Sequence, residues 1–154
     1  MQKLAFDEDS LLKQLQSTWY QTIPVSQFMQ IAPLSFSGQS FSVTAPLTPN
    51  VNLHQTMFAG SIYTLMTLTG WGMVWLQQQL AKVDADIVLA DANVRYIAPI
   101  TADPVAKTEW IDTDLSALQR GKRIRVNLSI ELWCADKLCA VFDGRFVSRP
   151  KSSD

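Results

Sequence analysis

The sequence predicts an α+β fold in which a strongly curved antiparallel sheet of five or six strands wraps one long central helix. Three observations carry this prediction. Residues Phe58 to Leu80 form an uncharged, largely apolar run, much too long for a strand. Segments with two-residue apolar alternation lie on both sides of it, two before and four after. A single helix that is apolar all round needs a surface that covers most of it, and a curved sheet supplies one.

The elements follow in chain order. Ser10 ahead of LLKQLQSTWYQT, with Asp7, Glu8 and Asp9 before it, reads as the capped acidic start of a short amphipathic N-terminal helix, which Pro24 ends. Ile31 to Phe36 and Ser40 to Leu47 read as strands, the second with Phe41, Val43, Ala45 and Leu47 on one face. Thr48 to Gln55 is turn-rich and leads into the long helix, expected from about Ala59 to Leu80. Ile87 to Ile97 alternates Val88, Ala90, Ala92 and Val94 with Asp91, Asn93 and Arg95, and Val105 to Ile111 is shorter. The cleanest alternation begins at Ile124 and runs to Leu132, and a last strand is expected over Leu138 to Val147.

Phe58 to Leu80 is long enough to span a bilayer. Its threonines, three glycines and three consecutive glutamines, Gln77 to Gln79, favour a helix buried in its own protein instead. With 154 residues and 47% hydrophobic content the chain reads as one domain, 1–154, able to form a core without metals or disulfides. A net charge of -1 offers no long-range attraction to nucleic acid or an anionic membrane, and neither is expected as a partner. The acidic, polar start lacks the pattern of a secretory signal, so a cytoplasmic location is expected. Cys134 and Cys139 are then expected as free thiols facing each other near a hairpin end.

This order of elements is that of the hotdog fold, and the chain resembles the thioesterase family that also forms the C-terminal half of the bacterial YiiD protein. Three stretches carry the resemblance: Asn52-Leu-His-Gln-Thr-Met-Phe-Ala-Gly-Ser61 with Thr67 to Gly72 (TLTGWG), Asn93 to Pro99 (NVRYIAP), and Arg120 to Arg125 (RGKRIR). The first is the specific one. The resemblance implies a homodimer, in which sheet edges pair across a two-fold axis, with pairing of dimers into tetramers left open. It implies an acyl-CoA or acyl-carrier-protein substrate, with coenzyme A or phosphopantetheine entering as part of that substrate and no separate cofactor. It places the active-site loop at Asn52, His54 and Thr56, and it adds Asn93 as a substrate contact.

A thioester carbonyl reacts when its oxygen is held where negative charge develops, and free amides at a helix N-terminus can do this. Phe58, Ala59, Gly60 and Ser61 fall at such a terminus. Gly60 would admit close approach of an acyl group or of a neighbouring element. His54, the sole histidine, is a candidate base whose ordinary explanation is a surface residue; Asn52 could hold a thioester or enolate oxygen, or simply form a turn. No carboxylate lies between Phe58 and Leu80, whereas many hotdog thioesterases place one about two turns into this helix; Thr67 stands there and can orient water but not deprotonate it. Asp91 is the nearest candidate for a base supplied by a second subunit. Arg120, Lys122, Arg123 and Arg125 could meet substrate phosphates or form a solvated hairpin end. Trp71, Trp75, Met66 and Met73 read as core and dimer packing. No metal-ligand spacing, nucleophile elbow or nucleotide-binding glycine loop occurs.

Thioester hydrolysis is the leading expectation. The missing carboxylate keeps two others open: decarboxylation of a malonyl-acyl-carrier-protein, which would support the initiation of fatty acid synthesis, and non-catalytic binding of an acyl thioester.

Overall fold

The computed structural model describes residues 5–151. Helix α1 spans Glu8–Thr22. Its cap is Asp7, not Ser10: the Asp7 carboxylate accepts from the Ser10 amide at 3.2 Å, which places Ser10 inside the first turn. Pro24 does more than stop α1, because it opens a second short helix, α2, Pro24–Phe28, as the first-turn residue that needs no amide hydrogen.

Strands β1 (Ala32–Phe36) and β2 (Ser40–Thr44) precede the central helix α3 (Ala59–Ala81). After it come β3 (Ala85–Tyr96), β4 (Val105–Glu109), β5 (Ile124–Cys134) and β6 (Lys137–Pro150). They form one antiparallel sheet in the order β1-β2-β4-β5-β6-β3. 3₁₀ helices occupy Thr48–Asn50, within the turn-rich segment, and Leu115–Arg120. The α+β architecture with six strands around one helix is the hotdog fold.

The concave face of the sheet packs on α3. Leu65, Met66, Met73, Val74 and Leu76 of the helix are fully buried, against Ile130, Phe142 and Phe146. The two glycines of TLTGWG serve this packing: a Cβ on Gly70 would overlap the Phe146 ring, and one on Gly72 would sit 2.8 Å from Trp19 of α1. The glutamines are braces. Gln78 donates to the Ala85 carbonyl at 3.2 Å and accepts from the Ser148 hydroxyl at 2.7 Å, while Gln77 donates to the Gly38 carbonyl. No helix among the described residues is long and apolar enough to cross a membrane.

The alternation expected for β3 holds over only half its length. A bulge between Leu89 and Asp91 inserts Ala90, so Ile87 and Leu89 share the inward face with Ala92 and Val94, and Val88 and Ala90 turn out. One extra residue flips every following side chain, which a uniform two-residue pattern cannot show. The β5–β6 hairpin turns at Ala135-Asp136, with Ala135 at φ 55°. Both thiols are free; Cys139 is buried at a register slip and Cys134 is half-buried.

Candidate active site

The loop before α3 is a closed structure of its own. Val51 and Met57 form an isolated bridge, and the Asn52 side chain fills the interior of the turn. Its Oδ1 accepts from the His54 amide at 2.8 Å and the Thr56 amide at 3.2 Å, and its Nδ2 donates to the Thr56 hydroxyl at 2.9 Å. Asn52 therefore shapes the loop, with part of its amide donor capacity left over. His54 is exposed and its ring bonds to nothing among the described residues; only its backbone is held. Beneath the loop, Asn50 is almost fully buried and donates to the Met29 and Pro46 carbonyls, and its own carbonyl accepts from the Phe58 amide at 2.7 Å. These bonds fix where α3 begins.

Phe58 caps α3 without a side-chain hydrogen bond, so the amides of Ala59, Gly60 and Ser61 have no partner from a cap. The missing Cβ of Gly60 is where the Phe58 ring lies: a side chain there would overlap it. Gly60, Ser61 and Thr64 line one wall of a cleft of about 380 Å³, with Val25, Phe28, Phe58 and Asn50 opposite. On the other flank, the Tyr96 hydroxyl donates to the Ala59 carbonyl at 3.2 Å. Burial, and secondarily the neighbouring Tyr63 phenol, pushes the Tyr96 pKa up. No periodicity marks Tyr63 or Tyr96 as site residues.

Thr67 behaves unlike the other threonines of its segment. Thr64 and Thr69 donate back to the Gly60 and Leu65 carbonyls at 2.9 and 2.7 Å, as threonines in helices commonly do. The Thr67 hydroxyl is buried and has no partner among the described residues. It lies on a half-buried stripe with Gly60, Thr64 and Trp71, beside the half-buried inward face of β3, where the Trp71 indole donates to the Ile87 carbonyl at 3.0 Å.

The structure thus gathers Asn52, His54, Thr56 and Phe58 to Ser61 at the start of α3, with Thr67 two turns along. It does not bring the remaining candidates there. Asn93 faces outward on β3 opposite Asp143, in a cleft on the convex side of the sheet. Asp91 is on that same side of its own sheet, paired with Arg145 at 3.4 Å. Arg120 donates to Ser116 of its own 3₁₀ turn. Lys122, Arg123 and Arg125 follow at the far end of the sheet, where Ile124 pairs with Ser148 and Ser148 bonds Gln78. Gln78 is about 27 Å along the helix from Gly60. Among the described residues no group of His, Cys, Asp and Glu could hold a metal ion.

Six antiparallel strands around one long helix, with the helix start open at the candidate site, define the class of protein as one of the hotdog fold. More particularly, the chain belongs to the family described as "Putative thioesterase (yiiD_Cterm)", whose model matches residues 12–150. It is similar to the "putative thioesterase from Shewanella oneidensis", with 65% identity, covering 92% of this chain and 99% of that one at a TM-score of 0.90. A protein of unknown function from Chlorobaculum tepidum TLS is 27% identical, with 93% and 96% covered and a TM-score of 0.87. A thioesterase from Haemophilus influenzae shares the fold at 15% identity and a TM-score of 0.74, with 92% and 93% covered.

Proposed function

We propose that this protein is a cytoplasmic homodimeric enzyme that hydrolyses acyl thioesters of coenzyme A or of an acyl carrier protein at the first turn of α3. The observation that carries the reading is the pair of unclaimed polar groups on one helix flank, the open amides of Ala59 to Ser61 and the buried, unpartnered hydroxyl of Thr67. Gly60 and Thr67 are about 10 Å apart along the axis. That is the span of three successive contacts of about 3 Å, from amide to carbonyl oxygen, from carbonyl carbon to water, and from water to hydroxyl.

In this reading the amides hold the oxygen as charge develops, Thr67 orients the water, and Asn52 and Thr56 hold the loop over the carbonyl. Hydroxide from solvent, oriented by Thr67, adds to the carbonyl carbon; the carbon–sulfur bond then breaks, the carrier leaves as its thiolate, and the proton of the new carboxylic acid passes to that thiolate or to solvent. Phe58 and Ala59 contact the acyl end of the pantetheine.

A second reading is favoured by one feature, the absence of any carboxylate from α3. Loss of carbon dioxide from a malonyl thioester needs no base: the electron pair of the breaking carbon–carbon bond passes to an enolate whose oxygen the same amides would hold. Mass spectrometry of the protein incubated with acetyl, medium-chain and malonyl thioesters, on coenzyme A and on carrier protein, separates the outcomes. Free acid with free thiol supports hydrolysis, and acetyl thioester with carbon dioxide supports decarboxylation. Saturable binding with substrate intact would leave a binding module and refute both. Asn52→Ala is expected to lower turnover at least tenfold by opening the loop; unchanged turnover would refute the site.

A further inference from the structure

From Gln14 to Ala81 the chain carries no Asp, Glu, Lys or Arg, although these types make up 18% of the whole. That stretch supplies every residue lining the cleft between α2 and the first turn of α3, so no side chain in it can pair with a phosphate or a carboxylate. Val25, Phe28 and Phe58 give the cleft apolar walls that stand open to solvent, Phe28 at 81% exposure. Such a surface suits a segment of ligand that is uncharged and partly apolar.

Two polar features of the cleft lack partners, and they are of opposite kind. On the α3 wall, the amides of Gly60 and Ser61 are donors left open by a cap without a side-chain bond. Asn50, at 2% exposure, is the most buried residue of the lining and forms the floor. Its Nδ2 is fully used, donating to the Pro46 carbonyl at 2.8 Å and to the Met29 carbonyl at 3.0 Å. These bonds fix which way the side-chain amide faces, and they leave Oδ1 buried with no donor among the described residues. Native folds seldom leave a buried acceptor in this state. The Asn50 backbone carbonyl accepts from the Phe58 amide at 2.7 Å, which ties this residue to the cap of α3.

A ligand that satisfies both features carries an acceptor and, a few bonds away, an N–H or O–H donor, on a chain without charge. The arm of a pantetheine thioester has this make-up around its sulfur: the thioester carbonyl is the acceptor, a short run of methylenes follows, and an amide N–H is the donor. We infer that the cleft between α2 and α3 seats this arm, with Asn50 Oδ1 accepting from the amide N–H nearest the sulfur and Val25, Phe28 and Phe58 packing on the methylenes. Asn50 then sets where along α3 the thioester carbonyl comes to rest against the open amides. The inference rests on the proposed action on a pantetheine-borne thioester, and it holds alike for hydrolysis and for decarboxylation, since neither changes the arm.

The test varies the thiol half of the substrate, on whichever acyl group, acetyl or malonyl, the protein turns over. An N-acetylcysteamine thioester keeps the amide, and a pentanethiol thioester replaces it with methylenes; neither thiol carries a charge. Wild-type kcat/KM is expected to be roughly tenfold or more higher on the amide substrate. Asn50→Ala is expected to bring the two substrates within about twofold of each other. A purely structural role would lower both by the same factor, and a preference kept in Asn50→Ala would overturn the assignment. Because Asn50 also braces Met29 and Pro46, the thermal transition of that variant is measured alongside, and Phe28→Ala provides a second variant at an exposed position. Phe28→Ala is expected to raise the KM of the pantetheine thioester roughly threefold or more with kcat kept. An unchanged KM, or equal wild-type kcat/KM on the two thiols, would overturn the inference and leave the proposed activity standing. A preference conferred only by a hydroxyl on the acyl group, 3-hydroxybutyryl over butyryl, would give the Asn50 acceptor to the acyl chain and overturn its assignment to the arm. Wild-type protein that turned over none of these thioesters, on coenzyme A and carrier protein included, would overturn the proposed function, and the inference would fall with it.

Discussion

Replacing Thr67 by valine removes a hydroxyl while keeping the side-chain shape, and it is expected to move stability and activity in opposite directions. The Thr67 hydroxyl is buried without a partner, so the folded chain carries an uncompensated desolvation cost of about 1–3 kcal/mol. Threonine and valine have similar helix propensities, so Thr67→Val is expected to stabilise the fold by roughly that amount. In a domain of this size each kcal/mol corresponds to about 2–4 °C in Tm. Thr69 provides the control on the same helix, because its hydroxyl is bonded to the Leu65 carbonyl. Thr69→Val is expected to be destabilised by up to about 1 kcal/mol. Denaturant unfolding with an unchanged m-value measures both. Turnover of Thr67→Val is expected to fall at least tenfold, about 1.4 kcal/mol of barrier, and that of Thr67→Ser to survive. If Thr67→Val were destabilised like Thr69→Val, its hydroxyl would be bonded in solution and the argument would fail. If it were stabilised with full turnover, the hydroxyl would be unsatisfied but unused.

Gln78→Leu leaves the Ala85 carbonyl and the Ser148 hydroxyl without their partner and is expected to cost about 2–3 kcal/mol. A double-mutant cycle with Ser148→Ala should recover part of that as coupling. Cys139 is buried and burial raises its thiol pKa, so it should stay unlabelled by a maleimide until the protein unfolds, while the half-buried Cys134 reacts in the native state. Peptide mapping after labelling checks this, and modification of Cys139 first would contradict the packing of the hairpin. His54→Gln is expected to keep turnover within about twofold, since an exposed ring with no bonded neighbour has nothing to orient it as a base.

The elements of the fold were legible because each buries one face. The β5 alternation from Ile124 is read directly in its burial, and the limits expected for α3 differ from those observed by one residue, at Ala81. The bulge at Ala90 was not legible, because alanine suits either face and nothing local marks the insertion. The cap of α1 was misplaced by three residues because Asp7 and Ser10 are both good caps, and only the backbone decides between them. For the site, the segment Asn52 to Ser61 was legible as a stretch around the start of α3. That Asn52 is spent largely on its own loop, and that Arg123 is a helix length from Gly60, follow from strand direction and register, which no spacing in the chain records.

The threonine at the position of a carboxylate also fixes how the two proposed reactions depend on pH. Hydrolysis and decarboxylation share the stage at which charge gathers on the thioester oxygen, so the open amides of α3 serve both equally. They differ in what delivers the electrons. Hydrolysis with Thr67 only orienting the water must draw on hydroxide, so its kcat/KM on acetyl thioester is expected to rise about tenfold per pH unit between pH 6 and 8. Decarboxylation takes its electrons from the substrate carboxylate, already ionised across that range, and its rate on malonyl thioester is expected to be flat. Both profiles come from one set of buffers with the same enzyme preparation. A hydrolysis profile that levelled off within the range would reveal a titrating base near Thr67, supplied by a residue that α3 itself does not carry, and would refute the idea that the hydroxyl works alone.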